Sequence, residues 1–126
     1  MKYLNIKDLP AVDNVCNQIL KAVEKQPNWS MAHVIMNPLE SSFLHKHDDI
    51  TEIYVITKGY GELVVGRESY QVAAGSVFEI FPEITHMLKN KSAGHLEHLV
   101  FAFPPFNPRD IRLLNDIKFN NKIKTT

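Results

Sequence analysis

Four side chains that can bind a metal are grouped in the middle of the sequence. His45 and His47 are separated by one residue, and Glu52 follows five residues after His47. A further histidine, His86, comes after a turn signal at Pro82. Imidazole nitrogens and carboxylate oxygens suit iron(II), zinc, manganese, nickel or copper. Each ligand alone is weak, but together they predict a site for one divalent transition metal.

The spacing of these residues has to be reconciled with β-structure. Residues two apart on a strand point to the same face, so His45 and His47 are expected to project together. Glu52 lies at an odd offset, which on one continuous strand would place it on the opposite face. The polar segment 48–51 can form a bend that resets the alternation, so that Glu52 heads a new strand and shares its face with Tyr54. Tyr54 is then a candidate catalytic residue, as proton donor or substrate clamp, and a plain core tyrosine is the alternative.

The elements that must position these residues are mostly short strands. Segment 11–26 is the exception, because its apolar residues recur three and four apart and predict a helix between Pro10 and Pro27, with Cys16 as a core residue. Further along, period-two segments bounded by glycine and proline predict strands at 29–37, 51–57, 63–65, 69–72, 76–81, 86–90 and 95–103. Frequent turn signals with no helix between them indicate an antiparallel barrel or sandwich. The tail 104–116 is expected to be irregular, with a helical turn at its end.

Composition excludes several classes of function. The chain has 126 residues, with 14 lysines and arginines against 14 aspartates and glutamates, so its formal net charge is zero. This balance argues against nucleic acid or an anionic membrane as a partner. The single cysteine permits no intrachain disulfide, and the N-terminal residues contain no apolar signal core. We expect a cytoplasmic protein with one domain.

The joint spacing of the candidate ligands resembles the two motifs of the cupin superfamily. The first is similar to H-x-H, three or four residues, E, six residues, G, and the matching positions are His45, His47, Glu52 and Gly59. The second is similar to G, five residues, P-x-G-x-x-H, three residues, N, and its matching positions are Gly75, His86 and Asn90. The chain departs from the pattern at Phe81, where proline is usual, and at Glu83 and Leu39, where glycine is usual. Pro82 can supply the turn in place of the missing proline.

The resemblance covers residues 29–108 and implies a small single-domain cupin. The fold would be all-β, an antiparallel β-barrel of the double-stranded β-helix or jelly-roll type, with a short N-terminal helix. Residues 1–126 would form one domain, with an arm and helix at 1–28, the barrel at about 29–108 and a tail at 109–126. The implied metal ligands are His45, His47, Glu52 and His86, and the cofactor would be one Fe, Zn, Mn or Ni ion.

The resemblance leaves the reaction open. A metal with free positions could support isomerase, lyase, cyclase, hydrolytic or dioxygenase chemistry on a small oxygen-bearing metabolite. We favour an enzyme, and a non-enzymatic module that binds or senses a small ligand is the alternative. Glu79 and His98 could face the pocket or the outside. A homodimer is expected, because small cupins commonly pair through their sheets.

Overall fold

Short β-strands make up nearly all of the regular structure. The computed structural model describes residues 1–14 and 18–114. Its strands are β1 (Ile19–Lys25), β2 (Ser30–Met36), β3 (His45–Lys46), β4 (Thr51–Lys58), β5 (Tyr60–Val65), β6 (Glu68–Ala73), β7 (Val77–Ile80), β8 (His86–Asn90), β9 (Leu96–Phe103) and β10 (Arg112–Leu113). One 3-10 turn, Ile6–Asp8, is the only helical element among the described residues. None of the helices in this part of the chain is long and apolar enough to span a membrane.

The strands form two five-stranded antiparallel sheets. The first sheet has the order β1-β2-β9-β4-β7, and the second has the order β10-β3-β8-β5-β6. Side chains from both sheets pack into one hydrophobic core, whose members include Val34, Met36, Ile56, Leu63, Leu88 and Leu96. The all-β jelly-roll fold predicted from the sequence is therefore confirmed.

The helix predicted over 11–26 is wrong. In the structure Ile19–Lys25 is a strand that pairs with β2, and Val12 forms an isolated bridge to Leu20. A register shift between Ala22 and Glu24 leaves Val23 as an extra residue in the strand. Such a bulge breaks the period-two alternation and spaces apolar residues three apart, which imitates helical spacing. The prediction for Cys16 lies outside the described residues.

The tail also differs from expectation. Arg112 and Leu113 form β10 and pair with the short strand β3, where a helical turn had been predicted at the end of the tail. Residues 115 and 116 of that predicted turn lie outside the described residues. The pairing brings the tail beside the first two histidines of the motif.

The two non-glycine motif positions, Leu39 and Glu83, keep the backbone conformation that glycine would adopt. Leu39 has φ 65° and Glu83 has φ 72°, and they are the only described non-glycine residues with positive φ. Each is the third residue of a turn with proline second, in segments 37–40 and 81–84. In both turns the first carbonyl accepts a hydrogen bond from the fourth N–H, over 3.1 and 3.4 Å. This is the pattern of a type II turn, which favours glycine at that position.

At Gly59, by contrast, the motif glycine is present, and the structure requires it. Its φ is 86°, and an added Cβ would lie 2.6 Å from the carbonyl oxygen of His95. Any side chain at this position would therefore meet rigid backbone. The glycine that ends the first motif is needed for a close approach between two chain segments.

Replacing Leu39 with glycine is expected to stabilise the protein by about 0.5–1 kcal/mol. The left-handed conformation costs a residue with a side chain about 1–2 kcal/mol, and glycine avoids this cost. Part of the gain is offset because glycine loses more backbone entropy on folding. Little apolar burial is lost, since Leu39 is 77% exposed. Urea denaturation measures the change in the free energy of unfolding. Leu39→Ala, which retains a Cβ, is the matched control and should show no such gain. An equal gain for both variants would contradict the explanation.

Candidate metal centre

The four candidate ligands come from both sheets. His45 opens β3 and pairs directly with His86, which opens β8 in the same sheet. Glu52 is the second residue of β4 in the other sheet, and His47 follows β3. All four side chains are buried. The two sheets thus meet at this group, and neither one supplies all four side chains.

The potential ligand atoms of the four residues converge. One nitrogen or oxygen from each lies within 4.8 Å of the others. The Nε2 atom of His86 is 3.0 Å from Oε1 of Glu52, and Nε2 of His47 is 3.3 Å from the same oxygen. The His47 nitrogen is buried and makes no aligned hydrogen bond with a described residue. A buried nitrogen without a partner is costly, and it is the kind of atom that a bound metal would satisfy.

Backbone carbonyls orient all three imidazole rings. The Nδ1 atoms of His45, His47 and His86 lie 2.7, 2.5 and 2.9 Å from the carbonyl oxygens of Phe43, Asp110 and Ile84. A carbonyl oxygen only accepts hydrogen bonds, so Nδ1 of each neutral ring must carry the proton and donate it. Nε2 is then the nitrogen of each ring that is left to face a metal, and without one the Nε2 of His86 lies within hydrogen-bond distance of Glu52 Oε1, at 3.0 Å. Metal-binding histidines in proteins are usually held in this way.

The electrostatics of the group also suit a cation. Burial by itself would raise the pKa of Glu52, but the facing His47 and His86 imidazoles outweigh it and hold the pKa of this carboxyl well below its usual range. Burial, together with the nearby His86, lowers the pKa of His45 to about 4. Near neutral pH, Glu52 is therefore an anion and His45 a neutral imidazole. These are the protonation states that metal ligation requires.

Taken together, these contacts fit a metal. The buried His45/His47/Glu52/His86 group could hold a divalent ion, with four ligand atoms of suitable types and a nitrogen that has no other aligned partner. The geometry is shared by several transition metals and does not select one.

The bend between the first two strands of the motif is held from the tail. The Asp110 carboxylate accepts hydrogen bonds from the backbone N–H of Asp48, at 2.6 Å, and of Asp49, at 3.0 Å. The carbonyl of Asp110 is also the partner of His47. Segment 47–50 is not part of a strand, and Glu52 and Tyr54 are both buried on one face of β4. The predicted reset of the alternation is therefore confirmed.

A cavity of about 670 Å³ opens onto this group. Its wall includes His45, His47 and Glu52, together with Tyr54 and His98 from the first sheet. Most of the remaining wall is apolar, with Ala32, Val34, Leu88, Val100, Ala102 and Ile111 among its side chains. A cavity of this size suits a small molecule.

Tyr54 and His98 form a stacked pair in the cavity wall. Their ring centroids are 5.1 Å apart with an interplanar angle of 8°, and the Tyr54 ring meets the His86 ring edge-on at 6.0 Å. Both ring nitrogens of His98 are buried, and neither makes an aligned hydrogen bond within the part of the chain that the structure describes. Burial lowers the pKa of His98 to about 4, so the ring is neutral near pH 7. The sequence left its direction open, and the structure places it at the cavity.

Other candidate side chains lie elsewhere. Glu79 is exposed on β7 and does not line the cavity. Phe43, two residues before His45, is 40% exposed and is not part of the cavity wall. Phe106, in the proline-rich tail, does line the cavity. Sequence reasoning missed Asp110, since a single aspartate in a proline-rich tail carries no periodic signal.

Comparison with known proteins identifies the family. The family model of the cupin domain matches residues 32–102, which is more than half of the chain. The chain belongs to the cupin family. No curated protein matches it.

Solved structures agree with this cupin fold at low sequence identity. KdgF from a Halomonas species is 14% identical with a TM-score of 0.78, over 86% of this cupin and 98% of that chain. A predicted oxalate decarboxylase from Thermotoga maritima is 19% identical with a TM-score of 0.73, over 82% and 99% of the two chains. Streptomyces PAC13, solved with uridine, is 16% identical with a TM-score of 0.72, over 90% and 92%. At these identities the likeness concerns the fold alone.

Proposed function

We propose that this cupin is an enzyme that uses one divalent transition metal to bind and activate a small oxygen-bearing metabolite. The metal ligands would be His45, His47, Glu52 and His86. One observation carries the proposal: three imidazoles, each held at Nδ1 by a backbone carbonyl so that Nε2 faces the centre of the group, converge with a buried carboxylate at a cavity of about 670 Å³.

The protein would position the substrate, exclude water from it and donate a proton to it. When bound, the metal supplies a Lewis acid or a redox centre for oxygen-bearing ligands. Apolar side chains such as Val100 and Leu88 would exclude water from the reacting group. Tyr54 would place its phenol beside the substrate, because its ring packs between the imidazoles of His86 and His98. In this role its hydroxyl donates a proton to a substrate oxygen or orients it.

The experiment is reconstitution followed by a search for turnover. The purified protein is loaded separately with iron(II), manganese, nickel and zinc, and metal per chain is measured by elemental analysis. Each form is then incubated with a panel of hydroxy acids, sugars and hydroxyketones. We expect about one metal per chain, and turnover of at least one compound by at least one form. Metal binding without any turnover would favour the alternative function, a module that binds or senses a small ligand.

Replacing Tyr54 with phenylalanine should then leave metal content unchanged and lower the turnover number about a hundredfold or more, as is typical when a general acid is lost. Tyr60→Phe is the matched control, because Tyr60 is an exposed tyrosine on β5. Unchanged turnover in Tyr54→Phe would leave Tyr54 as a wall residue only.

The homodimer and the cytoplasmic location stay predictions. Two large apolar side chains at the β7 edge of the first sheet are more than half exposed: Val77, which begins β7, and Phe81, which follows it. Light scattering coupled to gel filtration would test the dimer, and a monomer mass would exclude it.

A further inference from the structure

The wall of the cavity indicates what kind of molecule the site accepts. Away from the ligand group the wall is mostly apolar, and Ala32, Val34, Val100 and Ala102 present only hydrocarbon. A bound molecule would lose its water along this surface. Its body must therefore be largely apolar, since a polar group buried without a partner costs about 1–3 kcal/mol.

The charged side chains around the cavity also disfavour a highly charged ligand. Among the described residues that line it, the only lysine is Lys25, which is exposed, and there is no arginine. Two acidic side chains besides Glu52 also line the cavity, Asp13 and Glu24, and Glu24 forms an ion pair with Lys2 over 2.7 Å. His98 adds a neutral ring near pH 7. Phosphate groups are usually held by arginine forks or clustered lysines, and the described wall offers neither.

The ligand group itself sets a further limit. A divalent ion beside the buried Glu52 carboxylate would leave one net positive charge. A singly negative ligand would cancel that charge and a neutral ligand would leave it unchanged, whereas a dianion would bring a further, uncompensated negative charge into an apolar cavity.

We infer that the substrate is a compact oxygen chelator with an apolar body and at most one negative charge, such as an enolisable hydroxyketone, a β-dicarbonyl or a catechol-like ring. Phosphorylated sugars, nucleotides and dicarboxylates are excluded from this class. The inference rests on the proposed function, because the chelating end needs the metal.

Three probes with the same chelating head separate charge from size. Tropolone is a planar apolar ring with two adjacent oxygens, 4-isopropyltropolone adds neutral bulk, and tropolone-5-sulfonate adds a negative charge. Their dissociation constants are measured by isothermal titration calorimetry with the zinc-loaded full chain. Each value is compared with the affinity of the same probe for free zinc. We expect 4-isopropyltropolone to bind at least as tightly as tropolone, and the sulfonate to bind at least about tenfold more weakly.

A charge placed in the wall gives the matched test. Ala22 lines the cavity and is exposed on the edge strand β1. Ala22→Lys should narrow the gap between tropolone and its sulfonate, whereas Ala22→Gln, of similar length without the charge, should not. The inference would be overturned if the wild type bound tropolone and the sulfonate equally tightly. It would also be overturned if 4-isopropyltropolone bound as weakly as the sulfonate. A protein that takes up no zinc would instead overturn the proposed function, so the two failures are distinguishable.

Discussion

Glu52→Gln is expected to weaken metal binding about a hundredfold to a thousandfold while the protein stays folded. A four-ligand site that contributes about 10–16 kcal/mol loses about a quarter of that free energy when one ligand is lost. The substitution keeps the shape of the side chain and removes the only carboxylate of the group. It therefore tests ligation and leaves packing almost unchanged. Competition with a chromophoric chelator measures the affinity, and the thermal midpoint of the metal-free protein reports on the fold.

The chain offers a close control for this substitution. Glu79 lies on β7, next to β4, and its exposed carboxylate is outside the cavity. Glu79→Gln removes the same charge from the same sheet and should leave metal affinity unchanged. If Glu52→Gln bound metal as tightly as the wild type, the carboxylate would not be a ligand. If the metal-free Glu52→Gln variant failed to fold, the group of four candidate ligands would have a structural role as well.

Asp110→Asn is expected to lower metal affinity about tenfold to a hundredfold, although Asp110 is not a candidate ligand. Its carboxylate holds the backbone N–H groups of Asp48 and Asp49, and its carbonyl holds the His47 ring. An asparagine retains one accepting oxygen and loses the charge, so one N–H of the bend loses its partner. The bend then holds His47 and Glu52 less firmly in register. Chelator competition measures the loss of affinity.

The control for Asp110 comes from the same bend. The exposed carboxylate of Asp49 makes no hydrogen bond with any described residue, so Asp49→Asn should leave metal affinity unchanged. A lower thermal midpoint of Asp110→Asn with unchanged metal affinity would show that the Asp110 hydrogen bonds support the fold and not the metal group.

The contribution of Asp110 should also depend on pH. Burial alone would raise the pKa of Asp110, but the N–H groups of Asp48 and Asp49 outweigh it and lower the pKa below the usual value for a carboxyl. A carboxyl with a lowered folded-state pKa stabilises the protein above its unfolded pKa and loses this effect as the pH falls through the folded value. The difference in stability between the wild type and Asp110→Asn should therefore be full near pH 7 and shrink in acid. Urea denaturation at a series of pH values measures it.

The sequence alone identified the candidate ligands and most of the strands. These follow from local rules: the two-residue alternation of a strand, the ligand chemistry of histidine and glutamate, and the turn signals of glycine and proline. The reset of phase before Glu52 was also predictable, because an odd offset between two inward side chains demands a bend. Positive φ at Leu39 and Glu83 agrees with the motif, in which both positions are usually glycine.

Only the tertiary structure decided the remaining features. Segment 19–25 is a strand because it pairs with β2, and its bulge gave a spacing that local reasoning assigned to a helix. The contact between His47 and Asp110 joins residues 63 positions apart, which no periodicity can connect. The stacking of His98 on Tyr54 depends on the register between β4 and β9. Convergence of the four ligand atoms depends on how two separate sheets pack, and that packing is set by the core as a whole.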